Sequence, residues 1–427
     1  MDVSRLWEPY GLRSSPFFQD ELKPSDGDHP MSLFVGREEE LRRIERRVVS
    51  DPHTRTIVEG DPGVGKTSFV NRVKADAAAL KVATYEHPVR ITQETSLTSF
   101  VADVLRTVVR IRSAAELDNE QGRFWKRTVR WLEGGEIRGG SLSAFGLSGG
   151  VTRTFVPPQA PREALYEHLG EALRRVTGEL GRPVLLHVDN LENLASTRSQ
   201  ETALLLRDLR DYLLLPGAHW IFVGATGIED GVFRVYDQVG GIFPAADVLR
   251  PLTPAEIEQL LERRYAHLRI DGRPLVEPIV PRDAAELYAL YQGDLRNFLR
   301  LLSDAADRIL GVRSVAPMAQ AEVLRHAAAD YQRQFRSRLS PNDFAHLAGL
   351  VAGHGGADPE FRVTDAARLL KLSQPSASEL VQRLLERRLV RQTRTVGRSV
   401  YYRPTGAVLV AFGVSPDALR LHAPIIG

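Results

Sequence analysis

Between about residues 31 and 250, short apolar runs alternate with stretches in which apolar residues recur every three or four positions. The runs are Thr54-Arg-Thr-Ile-Val-Glu59, Val82-Ala-Thr-Tyr85, Val184-Leu-Leu-His-Val188 and Trp220-Ile-Phe-Val223. Apolar runs separated by amphipathic helices predict an α/β core whose parallel sheet is buried on both faces. A helical region opens at Thr253-Pro-Ala-Glu256, where Thr253 caps, Pro254 takes the first helical position and Glu256 completes a capping box. It runs to about Arg336. From Ser340 the pattern predicts helices over Thr364–Leu372 and Ser373–Arg388, then a hairpin of Leu389–Arg394 and Ser399–Arg403 around Gly397. In the second of those helices Ala377, Leu380, Val381, Leu384 and Leu385 fall on one buried face. An excess of sequence, an insertion of about 112–158, interrupts the α/β pattern, and the alternating glycine-rich stretch 139–155 within it predicts a hairpin. The divisions are therefore an N-terminal extension (1–30), an α/β core (31–250), a helical region (251–337) and a C-terminal module (338–427). In the extension, Trp7, Tyr10, Phe17 and Phe18 form an aromatic cluster expected to pack on the domain that follows.

Composition narrows the class. The 427 residues are 43% hydrophobic and 26% charged with a net charge of +2, as in an ordinary globular protein, and there is no cysteine. Disulfides, thiolate zinc sites and cysteine nucleophiles are excluded. Met1–Asp20 lacks the apolar run of a signal peptide and no window approaches a membrane span, so a cytoplasmic location without a membrane partner is expected. Only six of the 56 basic residues are lysines. A lysine at a motif position is thus less easily accidental.

One such lysine stands in Gly60-Asp61-Pro62-Gly63-Val64-Gly65-Lys66-Thr67, followed by Ser68, directly after an apolar run and directly before a periodic helix. This is the strand, loop and helix context of a P-loop. Glycines let the backbone curl so that its N–H groups face phosphates at a helix N-terminus, Lys66 neutralises β- and γ-phosphate charge, and Thr67 ligates Mg²⁺. Asp189, ending the run that begins at Val184, is the expected second metal ligand; the bland alternative is an aspartate that merely ends a strand. Glu192 is either the residue that polarises the attacking water or an exposed glutamate at a helix start. ATP and Mg²⁺ are the implied cofactors.

Leu33-Phe-Val-Gly-Arg-Glu-Glu-Glu-Leu41, ahead of the P-loop strand, resembles the adenine-side motif of AAA+ ATPases, especially the prokaryotic branch near the origin-recognition initiators and the STAND signalling ATPases. The resemblance covers about 31–336 and implies a P-loop αβα core with a helical lid. It implies that Val35, Gly36 and Arg37 border the base. Trp220-Ile-Phe-Val-Gly-Ala-Thr226 resembles the sensor-1 strand, which makes Thr226 the γ-phosphate-sensing residue, and Gly293-Asp-Leu-Arg296 resembles the sensor-2 helix start, from which Arg296 would reach back to the γ-phosphate. Two features depart from the family pattern. Asn190 stands where many motors have a glutamate, which implies slow hydrolysis, and the insertion is unlike a minimal core. Arg234 is a candidate arginine finger for self-association through this domain.

The C-terminal module resembles a winged helix. Ten basic residues against three acidic lie between Phe361 and Pro404. That excess suits duplex DNA, with Gln382 and Arg383 on the second helix and Arg394 and Arg398 on the wing as contacts. Glu379 and Glu386 on the same outward face oppose phosphate, and winged helices also bind proteins. Two functions are therefore expected in competition. One is an ATP-dependent DNA-binding ATPase acting as a switch or assembly factor; the other is a STAND-like signalling switch whose winged helix and insertion bind an unidentified protein partner.

Overall fold

The computed structural model describes residues 6–24, 27–118, 122–133, 136–138, 154–156, 161–193, 200–234, 237–310, 315–353, 360–396 and 399–413. The chain forms two units, one of Glu21–Asp61 and Lys66–Leu249, the other of Met1–Asp20, Pro62–Gly65 and Arg250–Gly427.

The first unit is built on a parallel sheet. Its elements run α1 (Glu38–Ser50), β1 (Arg55–Glu59), α2 (Lys66–Ala75), β2 (Ala83–Thr84), β3 (Val89–Arg90), α3 (Leu97–Ala114), α4 (Arg123–Glu133), β4 (Glu136–Arg138), β5 (Thr154–Val156), α5 (Arg162–Leu180), β6 (Val184–Asp189), α6 (Gln200–Leu213), β7 (Ala218–Gly224), α7 (Asp237–Gly240) and β8 (Asp247–Val248). The strand order is β2-β6-β7-β1-β8, with β3 also on β6, and every pair in this sheet is parallel. The P-loop strand β1 is thus flanked on both sides. Both β6 and β7 read as near-continuous apolar runs, each interrupted by one buried histidine (His187, His219), because helices cover both faces: Val184, Leu186 and Trp220 are fully buried, and Trp220 stacks between Phe100 of α3 and Phe222. The four expected strands all form; β3 and β8, two residues each, are additional, too short for any periodicity to announce.

Helix α3 starts at a capping box in which Ser96 Oγ accepts from Ser99 N and Ser99 Oγ accepts from Ser96 N. The insertion includes a helix the sequence pattern did not announce. Helix α4 is anchored by Trp125, whose Nε1 donates to Glu179 Oε1 (2.8 Å), while Arg112 Nε donates to Glu179 Oε2 (2.6 Å) and lies over the Trp125 ring. Strands β4 and β5 pair antiparallel; β4 precedes the stretch 139–155 in which a hairpin is expected, and 139–153 of that stretch lie outside the described residues.

The second unit is helical, with α8 (Pro254–Leu268), α9 (Pro281–Tyr291), α10 (Leu295–Ile309), α11 (Gln320–Arg338), α12 (Pro341–Ala352), α13 (Val363–Leu370), α14 (Gln374–Glu386), β9 (Val390–Val396), β10 (Ser399–Pro404) and α15 (Gly406–Ala411). The box at the start of α8 forms as the sequence indicates: Thr253 N donates to Glu256 Oε2 (2.6 Å) and Glu256 N to Thr253 Oγ1 (3.3 Å). The N-terminal aromatic cluster packs in this unit and not on the sheet that follows it in sequence. Trp7, Tyr10 and Phe17 are buried, and the buried Arg264 guanidinium of α8 donates to Pro16 O and Phe18 O, both at 2.9 Å, and stacks on the Phe18 ring. Burial pushes that guanidinium down to about 9, and the Tyr265 and Asp20 charges oppose the fall. In the C-terminal part Ala377, Leu380, Val381 and Leu384 form the buried face of α14, and β9 and β10 pair antiparallel with an irregularity at Tyr401/Tyr402. Among the described residues, no helix is long and apolar enough to cross a membrane.

Candidate functional site

Strand β1 delivers the chain into the loop at Glu59, and the loop's curl is set by glycine. Gly63 (φ 81°) and Gly65 (φ 96°) are left-handed, a conformation costly for residues with a Cβ, whereas Gly60 is not. A Cβ on Gly63 would also collide with the Asp294 side chain, which belongs to the same unit. Lys66 Nζ donates to Gly60 O (2.7 Å) and Asp61 O (3.2 Å), so its ammonium lies over the loop's own carbonyls. Thr67 and Ser68 occupy the first turn of α2, where backbone N–H groups have no intrahelical partner. That helix is clamped at Leu22, whose N–H donates to Ser68 Oγ (3.2 Å) and whose carbonyl accepts from Asn71 Nδ2 (2.9 Å).

Asp189 closes β6, one strand beyond β7 from the P-loop strand. Burial pushes its carboxyl up and Glu192 adds to the rise, while the Asn190 N–H on Oδ1 (2.9 Å) and the Lys66 and Arg90 cations pull it down. Glu192 and Lys66 thus each lie within electrostatic reach of Asp189. Asn190 is left-handed (φ 67°), which sets the sharp turn after the strand; Glu192 is exposed. Thr226, just beyond β7, donates its hydroxyl to Asp61 Oδ1 of the P-loop at 2.9 Å. The adjoining Gly227 N–H donates to Glu59 Oε2 (2.9 Å) and the Glu229 N–H to Glu59 Oε1, so one buried carboxylate fixes the loop after β7 to the strand that carries the P-loop.

Val35 is buried, and Gly36 (φ 70°) and Arg37 (φ 67°) make two consecutive left-handed residues that turn the chain into α1, with Arg37 buried. A left-handed arginine is uncommon and costs energy, a feature concentrated at functional turns. Arg296 is exposed on the first turn of α10, in the other unit, behind the cap formed by Asp294 Oδ1 and Asn297 N. Arg234 donates to Glu229 Oε1 from both Nε (2.8 Å) and Nη2 (2.6 Å).

Two residues went unnoticed in the sequence. Arg90 pairs in register with Asp189 on the neighbouring strand and supplies a cation beside it. Lys74 of α2 is buried, donates to Glu86 O (2.7 Å) and is pushed down to about 8 by burial, with Glu21, Glu86 and Asp189 opposing that fall. The scarcity of lysine is the signal that could have drawn attention to Lys74. Nothing marked Arg90, because a two-residue strand has no readable pattern.

The four DNA-contact candidates fare differently. Arg383 is bound to Asp343 (2.8 and 3.3 Å), and Arg394 donates to Glu360 Oε2 (2.6 and 3.1 Å) and lies over the Tyr401 ring. Gln382 is exposed and donates to Glu386; Arg398 lies outside the described residues. The charge excess between Phe361 and Pro404 is therefore partly neutralised by carboxylates, Asp343 and Glu360, that stand outside that stretch of sequence.

Residues 33–215 match the model of the AAA ATPase domain. That stretch, and not the whole chain, is what resembles an ATPase domain of the AAA type. Its reaction is the hydrolysis of ATP, and the loop of Gly60–Thr67 falls inside the matched range. No curated protein matches the sequence. Among solved structures, the Walker-type ATPase of Pyrococcus abyssi superposes with a TM-score of 0.52 at 15% identity, covering 93% of this chain and 99% of its own. The ORC2 protein of Aeropyrum pernix, in ADPNP and ADP complexes, gives a TM-score of 0.52 at 13% identity, covering 95% and 97%. At such identities the likeness extends to the fold.

Proposed function

We propose that the chain is a nucleotide-controlled ATPase that binds duplex DNA, acting as a switch or assembly factor rather than a motor. Its parts would be the AAA-type core, a helical lid over about 251–337 and a winged helix from about 338. The observation that carries the nucleotide half is the Thr226 hydroxyl hydrogen-bonded to Asp61 of the P-loop, with Lys66 and Glu192 each within electrostatic reach of Asp189.

In this reading ATP's phosphates displace the Lys66 ammonium from the Gly60 and Asp61 carbonyls, and the N–H groups of Gly63–Thr67 face the phosphate oxygens. Thr67 and Asp189 would hold Mg²⁺. A buried carboxylate whose charge is disfavoured suits that ion, and two protein ligands suffice where phosphates and waters complete the shell. Bound there, the ion would neutralise charge on the transferred phosphoryl group. Glu192 orients the attacking water, Thr226 turns from Asp61 to the γ-phosphate, and Val35, Gly36 and Arg37 border the base. Arg296 serves the γ-phosphate from the lid. Because Asn190 takes the place of the usual glutamate, Glu192 acts from three residues beyond the aspartate, and turnover is slow.

The DNA half is supported by the basic module and by Gln382 on the exposed face of α14. The rival reading, a signalling switch with a protein partner, is favoured by the ion pairs that occupy Arg383 and Arg394 and by the exposed Glu379 and Glu386. A cytoplasmic location and self-association belong to either reading. Duplex binding measured with and without ATP separates them, because only the first requires salt-sensitive DNA affinity.

A further inference from the structure

The insertion helix α4 and helix α5 border an open cavity of about 800 Å³ in the sheet-bearing unit, remote in sequence from the P-loop. Its aromatic lining comprises Phe124, Trp131, Tyr166 and His168, while Arg127 and Arg174 are matched in number by Glu167 and Glu171. The Phe124 ring stacks on the His168 ring with centroids 4.8 Å apart, and Trp131 tilts against the same imidazole at 6.5 Å. His168 Nε2 is 2.9 Å from Thr128 Oγ1, which fixes the ring at the floor. Tyr166 is 40% exposed.

Charge distinguishes this cavity from a plain apolar groove. Helix α4 exposes Arg123, Lys126, Arg127 and Arg130 in eleven residues and only one acid, Glu133. On the α5 side Glu171 is shared between Arg174 and Arg175, Arg174 stays largely solvent-exposed, and Glu167 is exposed, so the positive charge comes from the α4 rim. Helix α4 itself is held in place by Trp125, Arg112 and Glu179, so its basic, aromatic face is rigidly presented.

The geometry points to this cavity as a binding site for single-stranded nucleic acid, in which a base stacks on the Trp131 ring, with Tyr166 as a second aromatic of the lining, while flanking phosphates face Arg127 and Arg174. A basic rim beside aromatic platforms is the chemistry that takes an unpaired strand, because every base offers a π-face and the stacking needs no sequence. A duplex keeps its bases inside the stack and cannot use the aromatic floor. The site is separate from the C-terminal module and from the P-loop, and it stands whether or not the chain binds duplex DNA.

The test uses the full chain, a labelled oligothymidylate, its duplex with oligoadenylate as competitor, and free thymidine monophosphate. The other three tryptophans, Trp7, Trp125 and Trp220, are buried, so a stacked base quenches the emission of Trp131 selectively. Wild-type protein should bind the oligonucleotide with quenching and with an affinity that falls as salt rises. Trp131→Ala should weaken binding roughly tenfold or more, and Trp131→Phe should keep binding but lose the quench. Arg127→Ala with Arg174→Ala should make the salt slope shallower by about 0.7 per lost contact. All variants should hydrolyse ATP at the wild-type rate, which shows that they are folded. Unchanged oligonucleotide affinity in these variants would overturn the assignment, as would equal competition by duplex, or quenching by the free monophosphate with no gain from the strand.

Discussion

The Thr226 hydroxyl donates to Asp61 Oδ1 across 2.9 Å, joining the end of β7 to the second residue of the P-loop. With Glu59 holding the Gly227 and Glu229 N–H groups, two carboxylates two residues apart fix the loop after β7 from the same strand-to-loop junction. A hydroxyl so placed can exchange its partner when a phosphate arrives. Thr226→Val should therefore leave ATP binding within a few-fold of wild type and lower kcat by roughly tenfold or more, with Thr226→Ser retaining activity. Equal kcat in Thr226→Val, read in a steady-state phosphate-release assay, would remove Thr226 from the reaction.

The lysine and glutamate at the site should separate binding from chemistry. Lys66→Ala leaves phosphate charge unneutralised and should abolish most nucleotide binding in a titration with a fluorescent ATP analogue. Glu192→Gln keeps the size of the side chain and removes the base, so it should bind ATP normally and turn it over at least tenfold more slowly. Wild-type turnover in Glu192→Gln would mean that another group orients the water.

Much of this site was legible because its chemistry is local in sequence. The P-loop is one contiguous run, and Asp189 ends a run of buried residues that only a central parallel strand explains. Thr226 was legible as a strand-end residue, but its partner Asp61 was not, since 165 residues separate them. The same limit explains the C-terminal module. A count along the chain places Arg383 and Arg394 in a basic patch, while the carboxylates of Asp343 and Glu360 that meet them come from other elements. The N-terminal aromatics were legible as a cluster, yet which helices they cover depended on Arg264, far away in sequence.

His219 gives the fold a pH dependence with a definite sign. Its Nδ1 accepts from Thr54 N–H (3.3 Å) and lies 3.0 Å from Thr54 Oγ1 in a buried setting, and burial pushes the imidazole down to about 4, assisted by His53 and opposed by Asp51. Between about pH 4 and 6.5 the unfolded chain then binds a proton that the folded chain refuses, so stability falls as pH drops through that window. Its slope from this group is at most about 1.4 kcal/mol per pH unit. Urea unfolding at a series of pH values should show a shallower slope for His219→Asn than for wild type; identical slopes would contradict this role.

Glu179 is the joint of the insertion. Replacing it with alanine leaves Arg112 buried without its carboxylate and Trp125 without its acceptor, a loss on the order of 3 kcal/mol. Glu179→Ala should lower the unfolding midpoint, and Glu179→Gln, which can still accept from Trp125, should lower it less. If the two variants are equally destabilised, the hydrogen bond from Trp125 contributes nothing and the whole loss lies in the charge opposite Arg112.

The most direct test of a nucleotide-controlled DNA-binding ATPase is the affinity of the full-length protein for duplex DNA, titrated at two salt concentrations with and without ATP and Mg²⁺. The expected result is an affinity that falls steeply with salt and changes with ATP in wild type but not in Lys66→Ala. Duplex affinity that is absent at low ionic strength, or present but indifferent to ATP, would contradict it and leave the partner-binding switch in its place.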